Sequence, residues 1–179
     1  CGKNQQIAAA VSDANGEAVF DADLPLGIYY VKELEAPAGY VKDETPVKID
    51  LGAGIPEKVA AQISEREELE LTVDPDGSNV MYMTVSDIQT TVEISKQDVT
   101  DCAEIPGAKL TVFDEQEHIV DTWTSGEKPH SIRGLEPGHT YILREETAPF
   151  GYVVAEDVTF TVENTGEVQP VHMFDKHAM

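Results

Sequence analysis

Cysteine is nearly absent. Cys1 and Cys102 are the only two in 179 residues, too few for a disulfide framework, and they leave the redox compartment open. Basic residues are scarce too: 12 lysines and arginines stand against 34 aspartates and glutamates, a net charge of −22. That balance argues against nucleic acid and anionic membrane surfaces as partners, because both are held through lysine and arginine. There is no apolar run of the roughly eighteen residues a membrane span requires, and no signal-peptide pattern at the start. Beginning at Cys1 without a methionine, the chain reads as an excised piece of something larger. Hydrophobic residues are 41% of the total, so a core is affordable and wholesale disorder is not expected. The length suits one large domain or two small ones. Divided after Gln89, each half holds 17 acids and 6 bases. The acidity is therefore spread evenly and suits a well-solvated extracellular module. A small secreted β-domain with so few cysteines needs another staple.

The chain contains a tandem repeat. Glu33-Leu34-Glu35-Ala36-Pro37-Ala38-Gly39-Tyr40-Val41 matches Glu145-Glu146-Thr147-Ala148-Pro149-Phe150-Gly151-Tyr152-Val153 at six of nine positions, at an offset of 112. A Leu/Pro/Gly turn precedes each copy, Leu24-Pro25-Leu26-Gly27 and Leu135-Glu136-Pro137-Gly138. An aromatic and β-branched run follows each turn, Ile28-Tyr29-Tyr30-Val31 and Tyr141-Ile142-Leu143. Each unit then closes in an alternating strand that reaches an aspartate, Asp87 in the first and Asp175 in the second. We place the domains at 1–89 and 90–179.

The two units are not equal. Glu33 to Asp87 spans 54 positions and Glu145 to Asp175 spans 30, so the first unit carries 24 extra residues. Most of that insertion falls at 51–68, where 56–68 has the composition of a short helix or lid. Lys96 precedes Gly138 by 42 positions, but only 26 residues precede Gly27. A counterpart of Lys96 would fall about fifteen residues before Cys1 if the spacing is kept. The first domain is thus expected to lack its first strand or strands.

Short strands dominate the rest. Segments Thr91–Asp98, 108–114, Ile119–Thr124, 140–146, 158–162 and 168–175 are rich in Val, Thr, Ile and aromatics, with Gly, Pro, Asn and Asp between them. Asp13-Ala14-Asn15-Gly16 is a tight-turn signature leading into an expected strand at 17–20. The class is all-β, two β-sandwiches in tandem.

Side chains alternate across a strand, so residues i, i+2 and i+4 share a face. Val92, Ile94 and Lys96 lie together, as do Tyr141, Leu143 and Glu145, and Val171, Met173 and Asp175. A lysine, a glutamate and an aspartate each sit on an apolar face. Burying any one of them alone is expensive, and the cost favours neutral forms. A neutral amine beside a neutral carboxylic acid can condense to an amide, with a second acid moving protons and stabilising the oxyanion. Contact between the groups removes the entropic part of the barrier. Loss of one water would leave an isopeptide bond between Lys96 and Asp175, tying the first strand to the last, with Glu145 as the catalytic acid. Two blander readings stand beside this one. The three residues can be strand-end groups at the rim of a sandwich, or a buried ion pair that never condenses.

Residues 92–176 resemble a Cna protein B-type domain (CnaB, SpaA-like, prealbumin-like), a stalk and pilin module of Gram-positive surface proteins. The features that carry the likeness are Lys96 with Ile105-Pro106-Gly107-Ala108 behind it, the box from Gly138 to Tyr152 with one residue inserted near His139, and Asp175 in the last strand. The resemblance implies an Ig-like, prealbumin-like sandwich, with Lys96 as the cross-linking amine, Asp175 as the acceptor and Glu145 as the catalytic acid. Glu33 and Asp87 hold the corresponding places in the first unit, which has no matching lysine. Lys3 is the only early one, and it stands in a polar, turn-like stretch. A bond in the first unit would draw its amine from residues absent here or from another chain.

Other signals are weaker. Cys1-Gly2-Lys3-Asn4-Gln5 has the wrong spacing for an internal thioester. Asp74-Pro75-Asp76-Gly77-Ser78-Asn79 opens like a calcium loop, but Val85 stands where a bidentate glutamate is required. The five histidines lack metal-ligand spacing, no Ser or Cys sits in a nucleophile context, and Trp123 reads as core or sheet surface. No metal, cofactor or turnover activity is expected. The reading is a stalk or pilin-type module of an extracellular, wall- or pilus-borne protein, stiffened by a self-made cross-link, with neighbouring domains of that protein as partners. The alternatives are an adhesin module that contacts a host or matrix ligand, such as a protein, through loops or the 51–68 insertion, and an inert spacer with an uncondensed cluster.

Overall fold

A computed structural model describes residues 5–20, 24–25, 27–50, 70–73 and 81–179. The expected helix or lid at 56–68, the turn at 74–79, and Cys1 and Lys3 lie outside the described residues. The chain divides into two compact units, Cys1–Val31 with Pro46–Thr84, and Lys32–Thr45 with Val85–Met179. The repeated box of the first unit of sequence therefore belongs, by packing, to the second unit of structure.

In the first compact unit, β1 (Ile28–Val31) pairs antiparallel with β2 (Val47–Asp50), and β3 (Glu70–Val73) with β4 (Met81–Thr84). Period-2 alternation shows on the first ladder. Tyr29 and Val31 are half-buried while Ile28 and Tyr30 are exposed, and Val47 and Ile49 are buried on β2. The turn at Asp13 forms as expected. The Asp13 amide donates to the Glu17 carbonyl and the Gly16 amide to the Asp13 carbonyl, while Asp13 Oδ1 accepts from the amides of Asn15 and Glu17. Gly16 takes the left-handed conformation there, at φ 81°. Residues 17–20, expected as a strand, are irregular and exposed, because they form no ladder with another segment among the described residues. The same turn recurs at Asp114, whose Oδ1 accepts from Gln116 and His118 while Glu117 adopts φ 64°.

The second compact unit is a β-sandwich. Its strands are β5 (Thr91–Asp98), β6 (Lys109–Phe113), β7 (Ile119–Thr124), β8 (His130–Arg133), β9 (Thr140–Thr147), β10 (Tyr152–Val153), β11 (Val158–Thr161) and β12 (Val168–His177). One sheet has the order β10-β12-β5-β8 and the other β11-β9-β6-β7. Every pairing is antiparallel except that between β5 and β12, where Ile94 lies opposite Val171, Lys96 opposite Met173 and Asp98 opposite Asp175. The strands expected between 91 and 175 are all present. The sequence reading did not include β8 or β10, and β12 runs two residues past Asp175 because Tyr152 pairs with His177 and Val153 with Lys176.

The core between the sheets holds Val92, Ile94, Ala108, Leu110, Val112, Ile132, Tyr141, Leu143, Val162, Val171 and Met173, with Trp123 half-buried at its edge. Trp123 stacks on His130 at 4.1 Å between ring centroids, which accounts for it as packing. Burying each large aliphatic side chain contributes about 1.5–3 kcal/mol. The buried positions of β9 and β12 are the ones alternation assigns, as are those of β5 apart from Ser95, and those faces continue without a break into Lys96, Glu145 and Asp175.

Candidate cross-linking site

Lys96, Glu145 and Asp175 meet inside the sandwich, with relative exposures of 1%, 3% and 0%. This removes the rim reading, because strand-end groups at a rim keep water. Lys96 Nζ is in direct contact with Asp175 Oδ1. The two side chains come from neighbouring parallel strands and share the core-facing side. Glu145 reaches in from the opposite sheet, its Oε1 at 3.3 Å from the amine. One strand thus supplies the amine, its neighbour the carboxyl, and the facing sheet a second carboxyl.

The backbone around each group is fixed. The Lys96 amide donates to Glu104 Oε2 at 3.1 Å, and its carbonyl accepts from the Ile105 amide at 2.7 Å. The Ile105-Pro106-Gly107-Ala108 segment is held in turn by Ser125, whose hydroxyl donates to the Ile105 carbonyl and accepts from the Ala108 amide. Gly107 sits at φ 95°, a left-handed conformation that suits glycine. The Asp175 carbonyl accepts from the Val99 amide at 3.0 Å. Glu145 Oε2 accepts from the Ala155 amide at 2.7 Å, which leaves Oε1 for the amine.

Glu145 Oε1 and Asp175 Oδ2 are buried without a hydrogen-bond partner among the described residues. Burial pushes the Glu145 carboxyl above its ordinary range, and the nearby Asp175 adds to this. The Ala155 amide and the Lys96 charge pull in the other direction and are outweighed.

A second cluster, which the sequence reading missed, lies beside the first. Asp98 is 6% exposed. It accepts from the Thr100 amide at 2.7 Å and the Tyr152 hydroxyl at 2.9 Å, and pairs with His177 Nε2 at 2.8 Å. The Thr100 amide and the Tyr152 hydroxyl hold Asp98 below the usual carboxyl range, and the Asp98 bond raises Tyr152. Tyr152 and His177 stack at 4.6 Å. The available signal was that Asp98 lies two residues past Lys96 on the same face.

The corresponding groups of the first repeat are placed differently. Glu33 is half-buried, and its Oε2 accepts from the Asp43 amide at 2.7 Å. This bond repeats the one from Ala155 to Glu145 at the same offset of 112. Asp87 is exposed in an irregular stretch, unlike Asp175. Among the described residues, no group of three or more His, Cys, Asp or Glu is placed to hold a metal ion, and no helix is long and apolar enough to cross a membrane.

The class defined by these features is an all-β, prealbumin-like sandwich in tandem repeat. The family model for the SpaA prealbumin-like fold domain matches residues 2–65 and 90–177, most of the chain, and the chain belongs to that family. Among solved structures, the Bacillus anthracis TIE protein aligns over 94% of this chain at 26% identity and a TM-score of 0.50. This chain spans 28% of that protein's length. The C-terminal fragment of the pilus adhesin SpaC from Lactobacillus rhamnosus GG aligns over 95% of this chain and 87% of its own, at 18% identity and a TM-score of 0.49. The group B streptococcus pilus 2b backbone protein aligns over 63% of this chain and 50% of its own, at 15% identity and a TM-score of 0.49. No curated protein matches.

Proposed function

We propose that the chain is a stalk or pilin-type segment of an extracellular, wall- or pilus-borne protein, and that its second sandwich ties its own first and last strands together. The observation that carries this reading is the buried contact between Lys96 Nζ and the Asp175 carboxyl, with Glu145 Oε1 at 3.3 Å. With Asp175 carrying its own proton on Oδ2, the neutral amine attacks Asp175 Cγ, and Glu145 gives its proton to the carboxyl as charge develops there. The Nζ to Cγ bond forms and the Cγ to Oδ2 bond breaks. Oδ2 leaves as water with its own proton and the one Glu145 gave, and Glu145 regains a proton from the amine. The balance is one amine and one acid in, one amide and one water out. Glu145 is restored but the site is consumed, so this is a single turnover and not an enzyme activity.

In the first repeat, Glu33 and Asp87 take the corresponding parts when an amine is supplied from outside this sequence or by another chain. Neighbouring domains of the same protein are the partners of such a segment. The insertion at 51–68, one of the two routes of the adhesin reading, lies outside the described residues, and the observation at Lys96 and Asp175 supports the stalk reading.

Intact mass tests it. The expected result is a deficit of one water, a tryptic peptide pair joined through Lys96 and Asp175, and loss of both in Lys96→Ala and in Glu145→Ala. An unmodified mass in the folded protein overturns the cross-link. A deficit of two waters assigns a second bond to the first repeat.

A further inference from the structure

The two copies of the repeated box have the same internal geometry but different outer surroundings. In each, the tyrosine amide donates to the proline three residues earlier at 3.1 Å, Tyr40 to Pro37 and Tyr152 to Pro149. In each, the glycine carbonyl accepts from the residue three past the aspartate that closes the repeat, Gly39 from Thr90 at 3.1 Å and Gly151 from Ala178 at 2.8 Å. Tyr40 bridges to Gln89 as Tyr152 pairs with His177. Thr90 and Ala178 therefore hold equivalent positions, and Thr90 leads directly into β5.

Around the first box, residues 85–179 of the same compact unit supply a seat. Gly39 is buried, and a Cβ added there would lie 2.4 Å from the Gly134 carbonyl oxygen. Gly134 in turn donates its amide to the Thr90 carbonyl at 3.0 Å. The Asn164 side chain accepts from the Lys42 amide at 2.8 Å and donates to the Lys42 carbonyl at 2.9 Å. A backbone-to-backbone approach at two glycines, flanked by an amide fork on Lys42, is a built contact. Around the second box no such contact is built among the described residues. A Cβ on Gly151 would meet no atom within 4 Å. Phe150 is fully exposed, and Val153 and Val154, the second the equivalent of Lys42, are each more than half exposed.

We infer that the surface formed by Pro149, Phe150, Gly151 and Val154 is the seat for another module of this same kind, continuing from the position of Ala178 as β5 continues from Thr90. The incoming module presents its counterpart of Gly134 to Gly151 and its counterpart of Asn164 to the backbone of Val154. Phe150, where the first box has Ala38, is covered by that contact. The inference does not depend on the bond between Lys96 and Asp175.

The test uses the full chain extended in register, with a second copy of residues 91–179 placed after Ala178. Thr90 within the same protein is the reference. The expected result is that the Ala178 amide, fast to exchange in the unextended chain, slows to within about tenfold of Thr90. Chymotrypsin cleavage at Phe150 is lost, and the last two modules tumble as one body by NMR relaxation. Gly151→Ala in the extended chain, or Asn164→Ala in the added copy alone, should restore fast exchange and cleavage. The second change leaves the backbone of the seat untouched, so it separates docking from strain at Gly151. An added module that folds but tumbles freely, with Ala178 and Phe150 unchanged, overturns the inference. So does docking that neither substitution weakens.

Discussion

Pulling the second sandwich by its ends measures the proposed tie directly. β5 and β12 are parallel neighbours, so a force applied at Thr91 and His177 loads their ladder in shear. Without a covalent bond, failure of that ladder releases everything between Lys96 and Asp175, which are 79 residues apart. At 3.3–3.6 Å per residue that is an extension of about 270 Å. With the bond in place those residues lie outside the force path, and only the short ends can lengthen. The same loop sets a thermodynamic expectation. Closing it removes unfolded-state entropy worth about 4.5 kcal/mol by the relation used for disulfides, or about 20–30 °C in Tm for a sandwich of this size. Single-molecule force spectroscopy should show no extension of about 270 Å from the unaltered sandwich. That step should appear in Lys96→Ala and in Glu145→Gln, the second of which keeps amine and acceptor in place. A full-length step from the unaltered protein, at the force seen in Lys96→Ala, would refute the reasoning.

Three further outcomes are expected. Because burial raises the Glu145 carboxyl, its protonated form persists above the ordinary carboxyl range. Cross-linking after refolding, followed by mass against time, should therefore slow as pH rises through the raised value. Stability of the uncondensed protein should be present at low pH and fall over the same interval, because the folded state then holds an ionised Glu145 in a dry site. Asp98 has the opposite sign, held low by the Thr100 amide and the Tyr152 hydroxyl. Its contribution is present above the ordinary carboxyl value and lost as pH falls through the lowered one, so Tyr152→Phe should flatten the acid limb of a thermal melt. Leu143→Ala, at a position with no exposed surface, should cost about 2–5 kcal/mol in a denaturant titration of the uncondensed Glu145→Gln protein. It should leave the mass deficit of the otherwise unaltered protein intact.

Much of the second sandwich was legible in its residues, for a physical reason. Where a strand has one face against a core, burial forces period-2 alternation, and Val92-Ile94-Lys96, Tyr141-Leu143-Glu145 and Val171-Met173-Asp175 carry that period without interruption. The same continuity exposed the three ionisable groups, because a charge on a buried face has no structural excuse. β8 was missed because His130-Ser131-Ile132-Arg133 has one buried apolar residue, too short a signal to show a period. β10 was missed because two residues have none. Asp98 went unread because its burial comes from Tyr152 and His177, both distant in sequence. Residues 17–20 show the converse: Glu17-Ala18-Val19-Phe20 has strand composition, but composition cannot supply a partner strand. Lys32–Thr45 marks a different limit. Similarity assigns it to the first repeat, whereas its hydrogen bonds to Ile88, Thr90 and Asn164 place it in the second compact unit.

The near-zero exposure of Lys96, Glu145 and Asp175 bears on direction as well as on rate. In water an amine and an acid are held apart as hydrated ions, and condensation must first discharge both. Inside this sandwich that hydration is withdrawn, which lifts the charged pair towards the neutral amine and acid from which an amide can form. A water lost from Asp175 would join the bulk, and the packed walls would slow its return. A bond made there would persist through that slow hydrolysis, with no source of energy to maintain it.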